Sequence, residues 1–203
     1  MTRNDKVVAI KKPATKRGEA TRRRLLAAAE AEFGQKGYHA ASVSGITSEA
    51  GVGQGTYYLY FDSKEAAFRA LVADVSVGVR RAMAEAVSGA PDRMTAERMG
   101  LEGFVRYVFE HPHLYRIIQE SQFVDEALFK RYYRDLAAGY AAVLAQATDC
   151  GELAPGDAET RAWAIMGIGH FLGLRFAVWD GIETPAAVMD AVMDLLANGM
   201  APR

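Results

Sequence analysis

A chain of 203 residues, 50% hydrophobic and 24% charged, is long enough for one or two domains and apolar enough to bury a core, which excludes disorder throughout, a collagen-like repeat and a low-complexity fibre. The formal charge of −1 hides an asymmetry: residues 1–70 carry 12 Lys and Arg against 7 acids, and the remainder 12 against 18, so a polyanion is drawn to one end only. The only cysteine is Cys150, which leaves no internal disulfide framework and no multi-cysteine zinc site. No uninterrupted apolar run reaches the roughly 18–20 residues that cross a bilayer. The basic N-terminus is not followed by the apolar stretch of a secretory signal. The expectation is a cytoplasmic chain with no membrane partner.

Residues 1–18 mix charge with Pro13 and Gly18 without periodicity and read as a flexible basic arm. Lys11, Lys12, Lys16 and Arg17 there are either DNA-contacting groups of the minor groove and phosphates or a passive tail. Leu25, Ala29 and Phe33 recur every four residues, which predicts a helix over 20–36, with Gly37 as its left-handed terminator. Ser42 is a candidate N-cap for a short helix whose apolar face is Val43, Ile46 and Ala50,. Gly51 allows a sharp turn into a second short helix near 54–61, with Tyr57 and Phe61 inward. Ser63 then caps a longer helix over 64–87 carrying Ala67, Leu71, Val75 and Val79 on one face.

Two short helices joined by a tight glycine turn and braced by a third form a helix-turn-helix. The residues from Arg22 to Leu71 carry a family pattern: Phe33, Lys36-Gly37-Tyr38, then Ser42-Val43, Ile46 and Ala50-Gly51-Val52, then Gly55-Thr56-Tyr57-Tyr58, Tyr60-Phe61 and Ser63-Lys64-Glu65. This segment resembles the DNA-binding domain of the TetR (tetracycline repressor) family of bacterial regulators. Tyr57 and Tyr60 depart from the commoner aliphatic residue and histidine of that family. Gly45 weakens the first short helix by about 1 kcal/mol relative to alanine.

Beyond residue 87 the pattern predicts helices near 95–110, 112–120, 125–148, 157–179 and 184–199, with no alternating strand signal. The chain therefore reads as all-α: the arm at 1–18, a helix-turn-helix domain at 19–66, and a helical ligand-binding and dimerisation domain at 67–203.

The segment 54–60 is the candidate recognition helix, since a helix fits the major groove, where each base pair shows its own donor and acceptor pattern. Gln54 has the amide that pairs with a base edge, and Gly55 lets the backbone approach DNA. Thr56, Tyr58 and Tyr60 supply hydroxyls for phosphates, which fix register rather than sequence. Lys64 suits a phosphate clamp at the start of the next helix, and Ser42 and Ser44 reach the backbone or a base from the first short helix. The resemblance implies the same roles for Ser44, Gln54, Gly55, Thr56, Tyr58, Tyr60 and Lys64.

One short helix reads few base pairs, so the partner is expected to be a palindromic double-stranded operator bound by a homodimer. Residues 163–179 are apolar almost all round, interrupted by His170 and Arg175, and such a helix needs cover on every side. Gly169 and Gly173, with Phe176, give it a face for close approach, and Val188, Val192 and Leu195 give the last helix an apolar stripe. The pairing of these helices with their symmetry mates in a four-helix bundle is also what the resemblance implies.

Phe104, Tyr107, Tyr115, Phe123, Tyr133, Trp163, Met166, His170 and Phe171 form a set that either lines an apolar cavity or is plain core. The resemblance implies an inducer pocket there, and a ligand-released repressor. His111-Pro112-His113-Leu114-Tyr115-Arg116 and the glycine-rich helix resemble family members that sense fatty or aromatic acyl-CoA. The alternatives are a DNA-binding protein that needs no ligand and a regulator of drug efflux that answers hydrophobic compounds. No nucleophile elbow, phosphate loop or metal cluster is present. No enzyme activity, no cofactor and no metal are expected, with His111 and His113 read as solvated or capping groups.

Overall fold

The computed structural model describes residues 15–200. Among these the chain forms nine α-helices, and the eighth runs on into a π-helical segment. They are α1 (Lys16–Ala40), α2 (Val43–Glu49), α3 (Gln54–Tyr58), α4 (Lys64–Ala86), α5 (Arg93–Glu110), α6 (Pro112–Val124), α7 (Glu126–Asp149), α8 (Ala158–Leu172) with its π-helical continuation Gly173–Asp180, and α9 (Ala186–Asn198). No strand occurs among the described residues.

Helix starts follow from local chemistry. Thr15, Asp92 and Asp157 each accept a backbone N–H from three residues on, at 3.1, 2.8 and 2.7 Å, satisfying donors that a helix leaves free. The Thr15 cap draws Lys16 and Arg17 into the first turn of α1, so these two expected arm residues are helical. Lys11 and Lys12 lie outside the described residues. Pro112 opens α6 directly after His111, which caps α5.

The chain divides into two compact units. One takes the described residues up to Val75 together with Arg116–Phe129; the other takes Ser76–Tyr115 with the described residues from Lys130 onward. Thus α4, α6 and α7 each contribute residues to both. The division differs from a cut at residue 66, because the second half of α6 supplies buried Ile117, Ile118 and Ser121 to the first unit.

The first unit is centred on Leu25, Phe33, Ile46, Tyr57 and Phe68, all fully buried. Phe33 meets Phe68 edge-on at 5.2 Å between ring centroids, and Tyr38 meets Phe68 likewise at 5.0 Å. Gly37, at φ 75° and ψ 162°, leaves helical geometry and breaks α1 at a kink, and a second short helical stretch runs on to Ala40. Gly51, at φ 61°, makes the turn between α2 and α3, a conformation that a Cβ disfavours.

In the second unit Leu101, Val105, Leu144, Ala162, Ile165 and Met189 form one core cluster. Here α8 lies against α5. A Cβ on Gly169 would stand 3.2 Å from both Leu101 and Phe104, and one on Gly173 would stand 3.4 Å from Val108. The glycine face expected at a symmetry partner is therefore occupied within the chain, and Phe176 is buried with it. Taken with its π-helical end, Ala158–Asp180 is long and apolar enough to cross a membrane by length and composition alone. One side of it is committed to α5.

Candidate nucleic-acid interface

The interface begins with what aims α2. Ser42 takes extended backbone angles and its Oγ accepts the Gly45 N–H at 3.0 Å, the expected cap. Its own N–H donates to Oε1 of buried Glu32 at 3.1 Å. Lys36 donates to the other carboxylate oxygen at 2.7 Å. Burial alone would raise the Glu32 pKa, but the bonds from Lys36 and the Ser42 N–H outweigh it and leave it lowered. A Cβ on Gly45 would overlap this carboxylate. Gly45 thus costs helix propensity and makes room for a carboxylate that α2 needs. Arg24 of α1 holds the other end of α2 by donating to the Ala50 carbonyl at 3.0 Å.

The α3 helix is only five residues long, and such a helix is not stable alone. It is held from behind. Tyr57 is fully buried, its hydroxyl donates to the Ser63 carbonyl at 2.9 Å, and its ring lies 5.5 Å from that of Phe61. Burial raises the Tyr57 pKa strongly, so the hydroxyl stays a neutral donor. Gln54, Gly55 and Tyr58 are exposed, Thr56 and Tyr60 half-buried, and the space over Gly55 is open. Ser44 is exposed beside Ser42, hydroxyl to hydroxyl at 3.0 Å. A residue the pattern had not singled out joins this surface: Leu59, 70% exposed, which has the apolar reach for a thymine methyl. Its position between outward Tyr58 and Tyr60 was the available signal.

Lys64 sits differently from a free phosphate clamp. Its ammonium donates to the carbonyls of Tyr38, His39 and Ala41 at 2.6, 3.3 and 2.9 Å and lies 4.5 Å over the Tyr38 ring. An ammonium has three donors, and all three are engaged.

In the second unit the structure brings some expected ligand residues together and leaves others apart. The Tyr115 hydroxyl donates to the His170 carbonyl at 3.0 Å and lies 3.0 Å from His170 Nδ1, and the Tyr133 hydroxyl lies 3.4 Å from the same nitrogen. Burial lowers the His170 pKa and raises that of Tyr115, so the cluster is neutral near pH 7. Phe104 packs near Gly169 of the α8 face, and the rings of Tyr107 and His111 lie 4.7 Å apart, tilted by 48°. Met166 is half-buried. Phe123 belongs to the first unit and is 80% exposed, while Trp163 and Phe171 point outward on α8, 42% and 66% exposed. Val188 and Val192 are half-buried and Leu195 is exposed. Among the described residues no group of three His, Cys, Asp or Glu could hold a metal ion.

A capped α2, a glycine turn and an α3 with a buried aromatic back and a polar front define a helix-turn-helix DNA-binding protein. The family model described as bacterial regulatory proteins, tetR family, matches residues 25–71. Over 193 residues the chain is 33% identical to the HTH-type transcriptional regulator YdgC of Bacillus subtilis (strain 168), spanning 92% of this chain and 96% of that protein. The chain belongs to the TetR family of bacterial transcriptional regulators. It is also 32% identical over 109 residues to the HTH-type transcriptional activator FasR of Mycolicibacterium smegmatis, across 52% of this chain and 48% of FasR. Similar solved folds include the fatty acid degradation regulator FadR of Bacillus halodurans, at TM-score 0.79 and 20% identity over 95% of this chain and all of that one. FadR of Bacillus subtilis, solved in complex with stearoyl-CoA, aligns at TM-score 0.76 and 20% identity over 88% and 99%.

Proposed function

We propose that the chain is a cytoplasmic, homodimeric repressor that reads a palindromic operator through α3 and is released by a largely apolar ligand, an acyl-CoA. The observation that carries the DNA-reading part is the two-sided α3: Tyr57 is buried and pinned while Gln54, Gly55 and Tyr58 are exposed. Gln54 takes the base edge, Tyr58 and Thr56 take phosphates, and Leu59 adds an apolar contact. Ser42, Ser44 and Tyr60 are further backbone contacts. Lys64 contributes through the chain it holds.

The dimer part rests on the outward side of α8. Trp163 and Phe171, with Trp179 beyond them, are exposed aromatics, while Gly169 and Gly173 meet α5. Nothing lies within 4 Å of where a Cβ on Gly167 would stand, so a partner helix can approach closely there. Exposed Leu195 of α9 extends the apolar face, and a second copy of the chain is what covers it. The two recognition helices must then match a groove spacing of about 34 Å or a multiple.

The ligand part is supported by the neutral Tyr115–His170–Tyr133 cluster and by the stearoyl-CoA in the fold relative. A ligand acts only through its different affinity for the DNA-bound and released states. FasR is named an activator, so activation is the second reading of the regulatory sign. A band-shift assay with the DNA flanking its own gene, repeated with stearoyl-CoA, tests the whole. Binding released by stearoyl-CoA supports it; no shift with any flanking fragment at low salt contradicts the DNA reading. A shift indifferent to acyl-CoA contradicts the ligand, and leaves the ligand-independent and drug-responsive alternatives.

A further inference from the structure

We infer that Glu120, on α6 and 82 residues along the chain from its partner Tyr38, is a positioning residue for DNA reading: it fixes the Tyr38 N–H, just ahead of the entry of the chain into α2. The inference rests on α2 and α3 being the DNA-reading pair.

The kink at Gly37 places the following N–H off the regular ladder of α1. That N–H, of Tyr38, donates to Oε2 of Glu120 at 2.7 Å. The approach depends on glycine, since a Cβ on Gly37 would stand 2.9 Å from Glu120 Oε1. Arg116, one turn earlier on α6, lies 3.8 Å from the same carboxylate and donates to the Gly34 carbonyl at 3.5 Å. The other end of Tyr38 is held as well: its carbonyl accepts from Lys64 on α4 at 2.6 Å. One residue is thus gripped through both of its peptide groups, by an anion on its N–H and a cation on its C=O.

Four residues on, Ser42 caps α2. Lys64 also takes the Ala41 carbonyl at 2.9 Å, and Glu32 takes the Ser42 N–H. The segment between α1 and α2 therefore has little freedom of its own, and its place is set by Glu120 and Lys64. Both stand on helices that continue into the second unit. Charge-assisted bonds of this length are strong enough to hold the segment in place.

A carboxylate placed only for solubility near a polyanion weakens DNA binding, and deleting it tightens binding to any sequence. A positioning carboxylate has the opposite effect on the specific site. The experiment uses the full chain, a duplex selected from random sequence by the wild-type protein, and an unrelated duplex of equal length. Glu120→Ala is expected to bind the selected duplex about five- to tenfold more weakly, from the loss of a bond to a charged group, with no loss on the unrelated duplex. Glu120→Gln recovers most of the affinity, because its amide oxygen still accepts the Tyr38 N–H. Hydrogen exchange of the Tyr38 amide in the wild type is expected to slow on binding the selected duplex and not on binding the unrelated one; this holds the test open should Glu120→Ala fold poorly. A folded Glu120→Ala with unchanged or tighter binding to both duplexes overturns the proposal, as does a Tyr38 amide indifferent to DNA. A wild-type chain that selects no sequence overturns the DNA-reading premise itself, and is told apart by that first step.

Discussion

Two helices of this protein are covered on one side only, and what they show on the open side differs. The short α3 turns glutamine, a glycine backbone and hydroxyls outward while Tyr57 anchors it. The long α8 with its π-helical end turns Trp163, Phe171 and Trp179 outward while Gly169 and Gly173 face its own α5 and Phe176 is buried. A polar open face on an anchored helix suits a hydrated, charged partner, whereas an aromatic one suits an apolar surface that excludes water. The inward residues decide whether each helix stands; the outward ones decide what it meets.

The sharpest way to break this division is to compare neighbours on α3. Tyr57→Ala is expected to cost about 3–5 kcal/mol of stability, as for other large aromatic deletions in a core, by urea denaturation. Tyr58→Ala is expected to leave stability within about 0.5 kcal/mol. Equal losses for the two would contradict the assignment of the faces. On α8, Phe171→Glu places a charge on the outward side. Loss of a central aromatic from an interface costs about 2–4 kcal/mol, and analytical ultracentrifugation should find dimers giving way to monomers with folding intact. Gly169→Leu, in contrast, should destabilise the monomer through its clash with Leu101 and Phe104.

Gly45→Ala sharpens the comparison between propensity and packing. Helix propensity alone favours alanine by about 1 kcal/mol. The overlap with Glu32, whose carboxylate is tied to Ser42 and Lys36, reverses the sign, and a net loss of about 1–3 kcal/mol is expected in thermal melts. A stabilised variant would show that Glu32 yields freely.

The smallest effect concerns His170. Its pKa is lowered from 6.5 by burial, so the unfolded chain binds the proton more readily than the folded one. Stability contributed by neutral His170 is present above pH 6.5 and declines as pH falls below it. The wild type minus His170→Gln difference, in denaturation at pH 7.5 and 5.5, should shrink at the lower pH; a constant difference would contradict the buried, neutral assignment.

The sequence pattern carried the local features well. Ser42 as a cap, Gly51 as the turn and Tyr57 as the inward residue are legible because each is decided within a few residues by hydrogen bonding or period. The destination of Lys64 was not, since its carbonyl acceptors lie 23 to 26 residues away and a lysine at a helix start looks the same whether it meets phosphate or backbone. The glycine face of α8 was equally open from sequence: a helix apolar all round does not announce which side its own chain covers. Phe123 shared a composition with the ligand candidates but not a place, and nothing in GLRFAVWD marks the π-helical turn.

The central claim is that the outward side of α3 reads DNA sequence. The direct measurement is the ratio of affinities for a wild-type-selected duplex and an unrelated one, compared between the wild type and Gln54→Ala/Tyr58→Ala at matched salt. The account predicts that this ratio falls by about tenfold or more, since each base-reading amide contributes about 1–3 kcal/mol of discrimination, while the thermal midpoint stays unchanged. A double variant that keeps the wild-type ratio would contradict it.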